Sequence, residues 1–447
     1  MSEISNNDLA CHPEPACTER SRSVEGQTPD LLKNEERKGY KKTKLGWIPE
    51  EWNIYTLKEI LKDTKLGGNY NNSSEAIGFP LIKMGNIGRG VVSIENKYFI
   101  EDGEELFEDH LLKNGDILFN TRNTLELVGK VAIWKNEYKT AYYNSNLLRL
   151  NFNNKQVSSN EFINYCLNSQ NSIKQLKSFA TGTTSVAAIY DRDVKILKVA
   201  LPSAKEQTAI AACLSTWDSA IATLTQLIEK KQAVKKGLMQ QLLSGKKRLQ
   251  GFEGEWKVNA LSRFLKYTPR EVPKPNGKFH KLGIRSHCKG TFLNEDFDSE
   301  KIAIDKMYVV EENDLIVNIT FAWEGAIAII NKDHEKAYVS HRFPTYTFIK
   351  NVSLSDYFKQ FIQSKRFRYL LELISPGGAG RNRVMSKKDF LKLKITTPNY
   401  EEQTAIAQVL QTADDEISLL TKKLVGLKEQ KRGLMQVLLT GRKRLEY

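Results

Sequence analysis

The amino-acid sequence predicts an α+β protein, in which two mixed α/β modules are separated by two long helices that pack as an antiparallel coiled-coil pair, the whole carrying an internal pseudo-two-fold repeat. Three observations predict it. Residues 202–249 align without a gap onto residues 398–445, displaced by 196, with 24 identities in 48 positions. Each repeat spaces its apolar residues alternately four and three apart, as a helix seam requires, whereas the stretches between are short β-rich runs broken by Gly, Asn and Asp. Those stretches also open alike, with Gly46-Trp47-Ile48-Pro49-Glu50-Glu51-Trp52 in one and Gly251-Phe252-Glu253-Gly254-Glu255-Trp256 in the other.

In chain order, residues 1–45 are polar without an apolar face and are expected to be a disordered extension; they lack the apolar core of a secretory signal. The first module is expected over 46–201 and the second over 250–396. Within them, Asn114-Gly115-Asp116-Ile117-Leu118-Phe119 has a counterpart in Asn313-Asp314-Leu315-Ile316-Val317-Asn318. Lys130 to Trp134 and Ala326 to Ile330 have the length and β-branched content of buried strands. Helices are expected from Ser158 to Phe179 and from Asp356 to Ile374.

The helical repeats occupy 202–249 and 397–447. Ser203-x-x-Glu206 and Asn399-x-x-Glu402 have the spacing of a capping box, with an N-cap side chain and an N3 carboxylate bonding each other's backbone. From there Ile210, Leu214, Trp217, Ile221, Leu224 and Ile228 form one heptad seam. Ile406, Leu410, Ala413, Ile417, Leu420, Leu424 and Leu427 form the other. Lys231 and Lys431 are expected to interrupt these seams at equivalent points. At 1.5 Å per residue each helix would span roughly 55 Å. A lone amphipathic helix of that length leaves its seam in water, so the two are expected to pair.

Bulk composition narrows the function. The net charge of +14 and pI near 9.2 suggest a polyanionic partner. The excess is local: residues 46–201 are neutral, 202–249 carry +5 and 250–396 carry +8. No window approaches the roughly 18 consecutive apolar residues of a membrane span. The five cysteines are scattered without a C-x-x-C pair, which suits reduced thiols in a cytoplasm.

Taken together, the Gly-Trp-Ile-Pro-Glu-Glu-Trp opening, the Asn-Gly-Asp-Ile-Leu-Phe run, and a proline followed by Glu-Gln-Thr-Ala-Ile-Ala at the start of each long helix resemble the specificity subunit of type I restriction-modification systems. The resemblance covers about residues 40 to 447. It implies two target-recognition domains that each bind one half of a split DNA sequence, with the helices as a ruler. It further implies docking of two methyltransferase subunits, which methylate adenine N6 with S-adenosylmethionine, and of restriction subunits that make an ATP-dependent endonuclease. S-adenosylmethionine, ATP and magnesium are then expected on those partners, with no cofactor and no catalytic residue in this chain.

Catalytic motifs are missing accordingly. Neither Asn-Pro-Pro nor Asp-Pro-Pro occurs, although an adenine methyltransferase needs such a loop around the flipped base. Gly85-Asn86-Ile87-Gly88-Arg89-Gly90 lacks the order of a nucleotide-binding loop and reads as a turn. His280, His287 and Cys288 lack the second pair that would complete a zinc site. Asp296, Asp298 and Glu300 read as a solvated loop.

Base readout needs arginine for guanine and asparagine or glutamine for adenine, on loops or helix starts that enter a groove. Candidates in the first module are Asn120, Arg122 and Asn123 after a strand, and Thr181, Thr183 and Thr184 in a threonine-rich loop. In the second they are Arg285, His287, Arg342, and Arg381, Asn382 and Arg383, which lie where the first module has its threonine-rich loop. Two other readings stay open: a coiled-coil scaffold that binds protein alone, which would show no salt-dependent DNA binding, and an enzyme with an unrecognised nuclease centre.

Overall fold

The computed structural model describes residues 38–182, 187–377 and 383–446. They form two units. The first comprises the described residues up to Ala211 with those from Met435 onward, and the second comprises Ala212–Leu434.

The first unit is built on a sheet in the order Leu61–Leu66, Leu147–Phe152, Ile117–Asn120, Val131–Ile133 and Gly90–Val91. The first four strands are antiparallel and the last is parallel to its neighbour. Ile117, Leu118 and Phe119 are buried in succession, which is why this run is uniformly apolar and does not alternate. Asn53–Thr56 pairs with Lys198–Leu201, so the module closes beside the start of a long helix.

The second unit repeats the plan. Leu265–Tyr267, Thr345–Phe348, Leu315–Val317 and Ile327–Ile329 form a sheet in the same order. Lys257–Ala260 pairs with Lys394–Thr397 as the closing ribbon. Even the turn into the third strand is shared. Gly115 and Asn313 both have positive φ, and Asp116 and Asp314 both accept a backbone N–H three residues upstream at 2.9 Å. The units diverge between the core strands. The second inserts a five-stranded sheet containing the long hairpin Lys278–Ile284 and Thr291–Asp298, where the first has only short two-residue ribbons.

Two expectations about short helices need correction. The segment from Ser158 to Phe179 is two helices, Asn160–Leu167 and Gln170–Phe179, because Ser169 accepts the Ser172 N–H and restarts the helix. The segment from Asp356 to Ile374 likewise divides into Ser355–Phe361 and Lys365–Leu373 at the Ser364 cap. A boundary at 46 also fails. Tyr40–Thr43 pairs with Gly46–Pro49 in a hairpin, and the Tyr40 hydroxyl donates to the Gly441 carbonyl at 2.8 Å, so residues 40–45 belong to the fold. Residues 1–37 lie outside the described residues.

The long helices are Ala204–Leu242 and Tyr400–Leu438, 39 residues each. Within the second unit they run antiparallel: Lys231 pairs with Glu416 at 2.6 Å, Lys235 with Asp414 at 2.5 Å, and Asp218 with Lys431 at 2.5 Å. The lysines equivalent under the repeat are thus Lys235 and Lys431, not Lys231. All of the expected seam residues are buried or half-buried, but Ile406 and Leu410 at the start of the second helix join the core of the second module.

Both N-cap side chains engage their helices. Ser203 Oγ accepts the Glu206 N–H at 3.3 Å, and Asn399 Oδ1 accepts the Glu402 N–H at 3.0 Å. Both glutamates are also held by partners distant in sequence. Buried Glu206 accepts from Trp52 Nε1 at 3.2 Å and from both prongs of Arg444 at 2.6 and 2.8 Å. Buried Glu402 accepts from Trp256 Nε1 at 3.1 Å and from Arg248 at 2.5 and 2.7 Å. This bidentate arrangement ties a module's opening tryptophan to the start of one helix and the segment after the other. Gln207 and Gln403 add a second matched tie, each donating to the preceding proline carbonyl and to a second carbonyl of its own module.

Candidate nucleic-acid interface

In the first unit the strand Ile117–Asn120 runs directly into Arg122–Asn123, which pairs with Ala187–Ala188. That strand pairs in turn with Thr181–Gly182. Two stretches some 60 residues apart in sequence are therefore neighbours on one small ribbon. Arg122 and Thr181 are exposed, and Arg122 makes no ion pair among the described residues. Asn123 is half-buried, its Oδ1 accepting the Thr124 N–H at 2.8 Å. Asn120 is different. It is fully buried and its Oδ1 accepts the Arg122 N–H at 3.2 Å, so it shapes the turn that presents Arg122 and offers no edge to a ligand. Thr183 and Thr184 lie outside the described residues.

Beside the ribbon is an open cleft of about 710 Å³ lined by Arg122, Ser145, Asn146, Tyr190 and Arg192, among others. The Arg192 guanidinium lies 5.4 Å from the Tyr190 ring centre, a stacked cation at the lip. Sequence reasoning missed Asn146, Tyr190 and Arg192. The repeat held a signal for one of them, since Asn146 is displaced by 196 from Arg342.

The second unit brings the equivalent segments together by the same hydrogen bonds. Thr121 N–H donates to Asn146 O at 3.1 Å and Ile189 N–H to Thr121 O at 2.9 Å; Ile319 N–H donates to Arg342 O at 3.0 Å and Met385 N–H to Ile319 O at 2.8 Å. Arg342 is exposed on this junction. Arg383 is not a free cation. Its Nη2 is 3.4 Å from Glu372, its Nε donates to Ser375 O, and its guanidinium stacks 4.9 Å from the Trp323 ring centre. Arg381 and Asn382 lie outside the described residues.

Arg285 and His287 reach the same neighbourhood by another route. The turn at 285–290 is latched to the Trp323 loop: His287 N–H donates to Glu324 O at 2.8 Å, and Ser286 Oγ donates to the Glu324 carboxylate at 2.7 Å. His287 and Cys288 both take positive φ, which aims the exposed His287 outward. Arg285 is exposed, stacked 5.2 Å over Phe292 with Nη1 donating to Thr291 O. Burial pushes the Lys281 and Lys387 ammonium groups below their ordinary range. A phosphate placed nearby would reverse that shift, as an opposite charge favours the charged form.

Among the described residues no group of three or more His, Cys, Asp and Glu is placed to hold a metal ion, and no helix is long and apolar enough to cross a membrane. Burial raises the Cys166 thiol and pushes Cys288 up to about 11, away from a nucleophilic thiolate.

A family model described as the type I restriction modification DNA specificity domain matches the chain twice, over residues 49–233 and 255–429. The chain belongs to this family. Each match takes in one module and most of the long helix after it, so the specificity domain is the structural repeat itself. The specificity subunit is the non-catalytic, sequence-recognising member of type I restriction-modification systems. The chain is 27% identical over 431 residues to the Methanocaldococcus jannaschii MjaX specificity subunit, covering 93% of this chain and 99% of that protein. It is 24% identical to the Escherichia coli EcoKI specificity subunit over 177 residues, 37% of this chain and 38% of the other. Among solved structures, the type I S subunit from M. genitalium aligns with TM-score 0.53 and 16% identity over 87% of this chain and 96% of its own. A chain of a type I R-M system solved for its complex assembly and conformational transition aligns with TM-score 0.55 and 16% identity over 89% and 99%. At that identity the likeness shows the fold.

Proposed function

We propose that this specificity subunit reads a split, asymmetric DNA target, with the modules at residues 40–201 and 250–396 each recognising one half-site. The observation that carries the proposal is the repeated junction of three segments, 121–122 with 145–146 and 187–189, and 319–320 with 341–342 and 383–385. The same scaffold presents different side chains each time, as two readers of different sequences require. Arg122 and Thr181 in the first module, and Arg285, His287 and Arg342 in the second, are the groups proposed to meet DNA. Thr183, Thr184, Arg381 and Asn382 remain proposed contacts from the sequence alone. Asn120 and Arg383 act instead by holding the reading surface in shape.

The helical segments 202–249 and 397–447 would serve as the spacer. Each helix is about 58 Å long at 1.5 Å per residue, ample against the roughly 34 Å of one DNA turn. Methyltransferase subunits, two by the repeat, and restriction subunits would dock on this chain in the cytoplasm, bringing S-adenosylmethionine, ATP and magnesium with them. The test is to co-express the chain with its methyltransferase partner and map N6-methyladenine across host DNA at single-base resolution. A two-part motif with a fixed gap, seen only when this chain is present, is expected. A continuous motif, or methylation indifferent to this chain, would overturn the reading.

A further inference from the structure

The two units differ at one place where the repeat predicts sameness. In the first unit the space between the helix Gln170–Phe179 and the segment at Leu439–Thr440 is almost closed, a residual volume of about 30 Å³ lined by Leu45 and Ile48 of the N-terminal hairpin. Ile48 is buried there, and Asn171 Nδ2 donates to the Leu45 carbonyl at 3.3 Å. The counterpart in the second unit, between Lys365–Leu373 and the end of Ala204–Leu242, is an open groove of about 500 Å³. No hairpin fills it, because residues 244–256 form turns and bends.

The walls of the groove have a definite chemistry. Leu243, Phe361 and Leu370 give it an apolar floor, and Lys236, Lys246, Lys365, Arg366 and Arg368 surround it with no aspartate or glutamate in the lining. None of these five cations makes an ion pair among the described residues. Arg366 takes the place of Asn171, each being the second residue after its serine cap. Three of the cations sit in the first turn of a nine-residue helix that has no acidic residue there, where the helix dipole adds to their positive potential. That arrangement is unfavourable until a carboxylate arrives.

We infer that this groove is the docking site for an acidic segment of a partner protein that seats apolar side chains where Leu45 and Ile48 sit in the other unit. Charge and floor together select this occupant. The hairpin of a second copy of this chain would bring Lys41, Lys42 and Lys44 against five cations. A nucleic-acid backbone would satisfy the rim but leave the apolar floor unused. The inference is independent of how the modules read DNA.

The experiment uses the full chain and two labelled peptides copying residues 40–50, one native and one carrying Lys41→Glu, Lys42→Glu and Lys44→Glu, with fluorescence anisotropy as the readout. The glutamate peptide is expected to bind saturably and to slow amide exchange in Lys365–Leu373. Its affinity is expected to fall roughly tenfold in the Lys365→Glu/Arg366→Glu chain, and again when its Leu45 and Ile48 are changed to serine. The Lys246→Glu chain, altered outside that helix, should weaken binding in the same direction while unfolding at the wild-type temperature. Absence of saturable binding, or equal binding of the native peptide, would overturn the inference. So would a serine-substituted peptide that binds as well and is displaced by duplex DNA, since that describes a general polyanion site.

Discussion

The two modules share a four-strand order, a closing ribbon, a Trp–Glu–Arg cluster and a glutamine tie, yet the first is electrically neutral over 46–201 and the second carries +8 over 250–396. The shared parts contact the long helices or form the sheet beneath them. The divergent parts, above all the hairpin Lys278–Ile284 and Thr291–Asp298, are inserted in sequence between the core strands Leu265–Tyr267 and Leu315–Val317. Chain that must fit a common frame is constrained twice over, and chain that only faces a ligand is constrained by that ligand. The first unit's frame should therefore fail in the same way as the second's, while their surfaces should fail differently.

The largest test of that contrast is at the opening tryptophans. Trp52 is fully buried and Trp256 only half-buried, so Trp52→Ala should cost about 3–5 kcal/mol and Trp256→Ala distinctly less. Amide exchange read separately in each unit's sheet would measure this, and equal losses would mean the frames are more alike than their burial. Glu206→Gln and Glu402→Gln come next. Each removes a carboxylate from beneath a bidentate arginine, at about 2–3 kcal/mol once the arginines' partial exposure is discounted. The two should match within error in urea unfolding; a silent variant in one unit would break the equivalence.

At the surfaces, Arg122→Ala and Arg342→Ala should each weaken binding of the methyltransferase complex by about 1–3 kcal/mol and relax one position of one half-site. Arg383→Ala should instead lower the stability of the second unit, because its guanidinium is held by Glu372 and Trp323. Uniform weakening across all sequences would make Arg122 a phosphate contact. Smaller again are Lys235→Met and Lys431→Met, worth about 0.5–1 kcal/mol each and the same as one another.

Titration should separate the units most gently. His110 is held below the ordinary histidine range, first by burial and then by Lys65, and His334 first by burial and then by Arg285. A depressed folded value means that the neutral ring is the stable native form. Their contribution is thus complete above about pH 6.5 and is lost as pH falls through the lower folded value. His110→Gln should flatten the acid limb of the stability profile in the first unit only, and His334→Gln in the second only.

Much of this frame was legible in sequence because it rests on local rules. The buried strands are runs such as Ile117-Leu118-Phe119, the caps are Ser203 and Asn399, and the seam is a spacing. What escaped depends on distant chain. Glu206 is gripped by Arg444, 238 residues away, and no local pattern encodes that pairing. Ser169 and Ser364 stop a helix within an apolar periodicity that reads as continuous. Asn120 has the residue type of a base reader but ends a strand inward, whereas Asn146 and Arg192 come to the cleft only through the fold.

The crossed ion pairs of the long helices bear on ancestry. Lys235 with Asp414 and Lys431 with Asp218 are one contact made twice, since both the lysines and the aspartates are 196 residues apart. In a half-length chain, Asp218 of one molecule would face Lys235 of another, which is the self-complementary pattern of a symmetric dimer. Joining two copies of such a gene end to end preserves every one of these bonds. Each half is then free to accumulate changes that a symmetric dimer would have been obliged to make in both places at once.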